Sequence, residues 1–294
     1  MADRLTYWMA LHSVPGLGPV TFRRILRRMG GVERALQVDD ATLADAGGLA
    51  PDAIKAVSRA RNRLDWAQRA LESLCRQGGG VSRPIDPDYP DVLKDLPNPP
   101  PLLYQLGQWS AEDCRAAAIV GATKPSSRGA DIARGLAARL AEAGVTVVSG
   151  YARGVDSAAH LGALQAGGRT VLCLPHGIRS FGQRADWPPV NDLLRQAAIL
   201  SEQPPDAPWE TQAALTRNRL IAALSRAVIV VETSPKGGAM NTFSHACALG
   251  RKVFAVRFET PPDSAQGNAV CLARGAAPLE RFRDVERVIE AVGD

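Results

Sequence analysis

The hydrophobic pattern along the chain changes character twice. Up to about residue 75, apolar side chains recur at helical spacing, in RILRRM, in ERALQV and along DAIKAVSRARNRLDWAQRALESLCRQ. Gly78-Gly79-Gly80 ends that run. The next stretch, VSRPIDPDYPDVLKDLPNPPPLLYQLG (81–107), holds seven prolines and reads as an extended linker, since it cannot be a regular helix. From Ala116 the pattern becomes short continuous apolar runs: AAAIVG (116–121), VTVVS (145–149), RTVLCL (169–174), AILS (198–201), AVIVVE (227–232) and KVFAV (252–256). Helix-length segments such as GADIARGLAARLAEA (129–143) and GGAMNTFSHACALG (237–250) separate them. Apolar strands alternating with helices predict a parallel sheet covered on both faces. The expected architecture is therefore α/β: a doubly wound, Rossmann-like, mostly parallel sheet of about six strands, preceded by a small all-helical domain. The expected divisions are 1–80, helical; 81–110, linker; and 111–294, the sheet domain. Ligands of such sheets gather at the carboxyl ends of the strands, so the following loops carry the candidate chemistry.

Composition narrows the class. The chain has 294 residues, 46% hydrophobic and 22% charged, enough to bury a sizeable core. Its apolar runs fall far short of the roughly 18 residues of a membrane span. The opening MADRLTYWMALHSVPGLG mixes charge and Pro-Gly into its apolar stretch, unlike a signal peptide, so a cytoplasmic location is expected. Five cysteines without a CxxC pair argue against a disulfide framework or a zinc site. Cys173, Cys247 and Cys271 stand in apolar contexts and read as inert core residues. The net charge of +5 is uneven, with +4 in residues 1–80 and +1 in the rest. A basic helical domain permits a polyanionic partner without requiring one.

The loops are more specific. After the first strand, GATKPSSRG runs from Gly121 to Gly129, and Ser126, Ser127 and Arg128 stand where a helix opens. Free N–H groups and the helix dipole there favour a phosphate, although the same residues make an ordinary capped turn. The spacing is neither GxGxxG nor a Walker loop. After the second strand, SGYARGVDSAAH offers Ser149, Gly150, Arg153 and Gly154, with glycines allowing close approach of a ligand. Asp156 follows in the N-cap position, four residues before His160; a cap and a packed ring are the commoner reading of that pair than a metal site. In LTRNRLIAALS, Arg217, Asn218 and Arg219 open an apolar helix and suit phosphate or sugar contact, or an internal ion pair with Glu202 or Glu232. After the fifth strand, Lys236, Gly237 and Gly238 precede another helix. Four such loops on one sheet edge point to a phosphate-bearing ligand.

The helical domain carries VPGLGPVTFRRILRR (14–28), similar to a helix–hairpin–helix module, with Arg23, Arg24, Arg27 and Arg28 after the hairpin. Such hairpins meet phosphates through Gly-x-Gly amides without reading sequence, and also occur as packing units.

Taken together, VPGLGP, DPDYPDVL with PPPLLYQLG, VVSGYARGVDSAAHLGAL, ILSEQPP, TRNRLIAALS with VIVVET, and GRKVFAV resemble the DNA-processing protein A (DprA/Smf) family. The resemblance runs from about Val14 to Pro278 and stops short of the winged-helix domain that often ends the family. It implies a non-catalytic protein without cofactor or metal that binds single-stranded DNA and works as a homodimer. Such a protein hands the strand to a RecA-type recombinase in natural transformation. Carried onto this chain, the DNA-facing loops are Gly121 to Gly129, Ser149 to Gly154, Arg217 to Arg219 and Lys236 to Gly238. Stacking aromatics are sparse near them; Tyr151, Phe181 and Trp187 are the candidates.

Two rival readings remain. KGGAMNT is similar to the PGG-x-GT loop of cytokinin-activating phosphoribohydrolases, which would make the chain a nucleotide sensor or N-glycosidase, but no carboxylate follows in its helix. An interaction scaffold with vestigial loops is the other. Absence of GxSxG and HExxH, and four dispersed histidines, speak against a serine hydrolase or metalloenzyme.

Overall fold

In the computed structural model, residues 4–45, 48–182 and 184–293 are described. Helices open the chain: α1 (Arg4–His12), α2 (Pro19–Met29), α3 (Val32–Gln37), α4 (Asp40–Asp45), α5 (Pro51–Arg61) and α6 (Leu64–Arg76). Pro19 and Pro51 occupy first turns, where the missing N–H is no loss. The helical pattern of 52–77 breaks at Asn62 and Arg63, so that α5 and α6 both pack on α1. Arg63 turns there to lie 4.1 Å over the Trp66 ring and to donate to Ser13 Oγ at 3.2 Å.

The strands are β1 (Gly79–Ser82), β2 (Leu103–Leu106), β3 (Ala116–Val120), β4 (Thr146–Ser149), β5 (Thr170–Leu174), β6 (Ala197–Ser201), β7 (Ala227–Val230), β8 (Lys252–Val256) and β9 (Ala277–Leu279). They form one nine-stranded sheet in the order β1-β2-β6-β5-β4-β3-β7-β8-β9. The neighbours from β6 to β9 pair parallel, whereas β1 and β2 join antiparallel at one edge. The expected strands are β3 to β8. The other three lie at the edges, where pairing rather than hydrophobicity defines a strand. Pro278 sits in β9, on an edge that tolerates its missing donor.

The stretch expected to be a linker is part of this sheet. Its prolines leave residues 83–102 with only a short 3-10 turn at Asp91–Leu93, but Tyr89, Leu93 and Leu96 are buried against the α/β core, and Tyr89 donates to the Pro100 carbonyl at 3.0 Å.

Between strands run α7 (Ser127–Glu142), α8 (Val155–Gln165), α9 (Val190–Gln196), α10 (Thr211–Ala223), α11 (Gly238–Ala248) and α12 (Asn268–Ala273), with α13 (Val285–Gly293) last. Alternate strand residues enter opposite layers. Ala117, Ile119, Val147 and Ile229 meet α7, α8 and α13. Ala118, Val148, Cys173 and Val230 meet α10, α11 and α12. Leu172, Leu174 and Ile199 share a core with Phe22, Ile25 and Leu74, which seats the N-terminal helices on the sheet. Cys173 and Cys271 are buried as expected, but Cys247 is exposed. It lies beside the buried stripe of α11 formed by Ala239, Met240, Phe243 and Ala246, a distinction that an apolar context does not reveal.

β3 and β7 are neighbours, yet β3 leads to β4 on one side and β7 to β8 on the other. Their carboxyl ends mark the switch point of the sheet. Among the described residues, no helix is long and apolar enough to cross a membrane.

Candidate nucleic-acid interface

The loop after β3 delivers Ser126 to the N-cap of α7, where its Oγ accepts from Gly129 N at 3.0 Å. A helix start of this kind favours an anion. The anion present is the protein's own. Glu232, fully buried at the end of β7, accepts from Ser126 N at 2.9 Å, from Ser264 Oγ at 2.7 Å and from Ser126 Oγ. Gly129 is glycine because a Cβ would fall 2.1 Å from Glu232 Oε1, and a Cβ on Gly121 would meet Val155 Cγ2 at 2.6 Å. Both expected cradle glycines thus make room for protein side chains, and Ser126 is spent on Glu232. Ser127 and Arg128 are exposed, with the Arg128 guanidinium 5.8 Å over Phe258.

The loop after β4 repeats the device. Gly154, at φ 77°, caps α8, and a Cβ there would lie 2.4 Å from the Ala122 carbonyl. Asp156 lies inside α8 rather than capping it, and reaches back to accept from Gly150 N at 3.1 Å and Ala152 N at 3.3 Å. Ser149 is buried and donates to the Ile119 carbonyl at 2.6 Å. His160 is fully buried against Thr170 Oγ1 at 2.7 Å, and burial pushes its pKa down to about 3. No group of three or more metal-ligating side chains occurs among the described residues.

Arg217, Asn218 and Arg219 sit mid-helix in α10, not at its start, and serve the interior. Arg217 donates to the Gly150 carbonyl at 2.6 Å and also to the Cys173 carbonyl, tying together the ends of β4 and β5. A Cβ on Gly150 would meet Arg217 Nη2 at 2.6 Å and Asp156 Oδ2 at 2.8 Å. Burial raises the Asp156 carboxyl pKa against the pull of Arg217, and lowers that of Arg217 against the pull of Asp156. Asn218 donates to the Gly238 carbonyl at 3.2 Å. Arg219 pairs with Glu202, the internal partner that the sequence left open. These three residues, expected to meet phosphates, make contacts inside the fold, because the middle of α10 lies against the sheet.

What faces solvent is a row of long cations. Among the described residues, Arg153, Lys236 and Lys124 of the first loop, which the sequence reading did not single out, are exposed and make no ion pair. Gly238 is exposed, with open space where a Cβ would be, whereas Gly237 packs 2.8 Å from Thr233 Oγ1 at the same measure. Because β4, β3 and β7 are consecutive, Arg153, Lys124 with Arg128, and Lys236 follow one another along the rim.

The three aromatic candidates pack on one another. Tyr151 and Trp187 are buried, with ring centroids 5.0 Å apart, and Phe181 packs 5.2 Å from Tyr151. Arg184, also not anticipated, lies 4.3 Å over Tyr151 and donates to the Tyr151 carbonyl at 2.6 Å. It pins the backbone of Tyr151 at φ 57°, a left-handed conformation unusual for a side-chain-bearing residue. Trp209, by contrast, is 60% exposed just ahead of α10.

The fold and rim define a Rossmann-like α/β protein with a self-filled set of helix starts beneath a cationic edge. The profile of the DNA recombination-mediator protein A family matches residues 81–292. Protein Smf of Synechocystis is 34% identical over 279 residues, covering 92% of this chain and 69% of its own. A putative DNA processing protein DprA of Mycobacterium tuberculosis is 34% identical over 248 residues, covering 80% of this chain and 64% of its own. The X-ray structure of DNA processing protein A from Streptococcus pneumoniae aligns at TM-score 0.74 and 26% identity, over 96% of this chain and 97% of that one. DNA processing protein A from Helicobacter pylori, whose structure concerns its single-stranded DNA binding mode, aligns at TM-score 0.60 and 25% identity, over 72% and 96%. The chain belongs to the DNA recombination-mediator protein A (DprA/Smf) family.

Proposed function

We propose that this chain binds single-stranded DNA along the rim above β4, β3 and β7. The observation that carries the reading is the division of charge: buried Arg217 and half-buried Arg219 have internal partners, while Lys124, Arg153 and Lys236 stand exposed beside Arg128 without an ion pair among the described residues. Neighbouring strands lie about 4.8 Å apart, so three consecutive loops spread these cations over roughly 10 Å of edge, enough for adjacent phosphates. Ser127 and the exposed backbone at Gly238 add neutral donors, while Ser126, Ser149, Gly121, Gly129, Gly150, Gly154, Gly237, Arg217, Asn218 and Arg219 set the loops' shape from below. The strained Tyr151 beside Arg153 supports the assignment, since strained backbone collects at functional sites.

The protein acts by holding the strand, not by reacting with it. α11 carries no Asp or Glu, and Glu232 and Asp156 are occupied as acceptors, which disfavours the N-glycosidase alternative. Work as a homodimer that passes the strand to a RecA-type recombinase in the cytoplasm belongs to the same proposal and draws on family membership. Titrating a fluorescent poly-dT oligonucleotide at several salt concentrations tests it. The expected log–log salt slope is near −3, at about −0.7 per phosphate for four cations. No affinity at low salt sinks the reading, and release of free base from AMP at enzymatic rates replaces it with the hydrolase.

A further inference from the structure

A second cationic surface lies apart from the rim, on α2, outside the residues 81–292 that match the family profile. Its sequence, PVTFRRILRRM, holds four arginines and no Asp or Glu. Resting on the reading above for the nature of the strand, we propose that Arg24, Arg27 and Arg28 bind phosphates of a further stretch of the single strand held at the rim. Long strands then occupy both surfaces, and short ones the rim alone.

The helix sets the arginines on one side. Phe22, Ile25 and Met29 are buried in the core shared with Leu172, Leu174 and Ile199, which turns that face of α2 inward. At 3.6 residues per turn, Arg23, Arg24, Arg27 and Arg28 span about 140° of the opposite face. Arg23 is half-buried and spent on the fold: it donates to Asn98 Oδ1 at 2.7 Å and so ties α2 to the proline-rich stretch. The other three are exposed. Arg24 donates to the Gly48 carbonyl at 3.2 Å, and a Cβ on Gly48 would stand 3.8 Å from Arg28 Nη2, so two guanidinium groups converge on one turn.

The fold alone does not account for this crowding. Positive charge suits the last turn of a helix, which explains Arg27 and Arg28 but not Arg24. Arg24 and Arg28 stand at i, i+4, and Arg24 and Arg27 at i, i+3, spacings at which like charges repel. On α5 and α7 the cations have carboxylates: Lys55 meets Asp52, Arg61 meets Asp40, Arg134 meets Asp131 and Arg139 meets Glu286. Among the described residues none pairs with the arginines of α2, and Glu33 of the adjoining α3 is taken by Arg4 at 3.6 Å. A polyanion supplies the missing charge, and guanidinium forks bond phosphate oxygens at two points. The core beneath α2 lies under β5 and β6, next to β4, where the rim begins with Arg153. A strand leaving the rim past β4 therefore runs toward the helical domain.

Salt titrations of the whole chain with two labelled oligo-dT strands test the surface, one of about 6 nucleotides, enough for the rim, and one of about 30. The short strand should show the slope of the rim alone. The long one should be steeper by about 2, at about 0.7 for each of three arginines. Replacing Arg24, Arg27 and Arg28 together with Ala should abolish that increment and leave the short strand unaffected. Replacing all three with Lys should preserve it, since counterion release needs the charge and not the fork. Equal slopes for the two strands overturn the proposal. So does an increment that survives the alanines, an equal loss on both strands, or failure of the lysines to preserve it. Arg153→Ala with Lys236→Ala separates the two readings. That pair should lower both slopes; if it changes neither while the α2 alanines still remove the increment, the rim falls and α2 stands.

Discussion

Two layers of charge meet at the carboxyl edge of the sheet and do opposite work. The lower layer, Glu232, Asp156 and Arg217 with the Glu202–Arg219 pair, is turned inward and held by contacts within the fold. The upper layer, Lys124, Arg128, Arg153 and Lys236, is exposed. In many sheets of this type the helix starts at the switch point receive a ligand phosphate. Here the start of α7 receives the Glu232 carboxylate, and the Asp156 carboxylate fills the loop ahead of α8 by accepting from Gly150 N and Ala152 N. On the proposed reading, anion binding falls to the flexible side chains outside, an arrangement suited to a continuous polyanion rather than to one enclosed phosphate.

The comparison breaks most readily with acid. Burial holds His160 at about 3 and His12 at about 4, whereas both titrate near 6.5 when unfolded. Below about pH 6.5 the unfolded chain binds more protons, so stability falls with falling pH, by up to about 2.7 kcal/mol per unit for the two rings. Asp156 and Glu202, raised by burial, oppose this as they take protons at lower pH. Urea unfolding between pH 7 and 5 should show the loss, and His160→Gln should roughly halve its slope. DNA binding at the rim should persist until the fold fails.

Arg217→Met comes next. It leaves Asp156 buried without its cation, at a cost of about 3–5 kcal/mol by chemical denaturation. A loss of DNA affinity without a loss of stability would instead place Arg217 in direct contact with the strand. Gly129→Ala should cost about 1–3 kcal/mol, since its Cβ collides with Glu232. The same change in a Glu232→Ser background should cost less, and equal costs would show that the carboxylate does not occupy that helix start. The smallest stability effect belongs to the rim. Arg153→Ala with Lys236→Ala should alter stability by no more than about 0.5 kcal/mol while reducing the salt slope of oligonucleotide binding by about 1.4. An unchanged slope would remove those residues from the interface.

Much of this was legible in the chain. The runs that became β3 to β8 are continuous in Val, Ile, Leu and Ala because both of their faces are covered. β1 and β2 escaped notice because their strand character comes from pairing, β1 with β2 and β2 with β6, around a proline-rich stretch that reads as linker. The loops drew notice by their glycines and charges, but such residues report close approach without naming what approaches. At Gly129 it is Glu232, and at Gly150 it is Arg217 and Asp156. Trp209 gave no local signal, since exposure of an aromatic ring depends on what folds over it.

Sequence alone determined the layered α/β architecture, the loops that crown it and the family to which it belongs, since periodicity and motif spacing are properties of the chain. Only the tertiary structure decided which charges are available. Whether an arginine meets solvent or a carbonyl depends on residues remote along the chain, as Arg217 does on Gly150 and Cys173. Burial of a charge is tolerated only where such partners converge, and convergence is a property of the assembled fold.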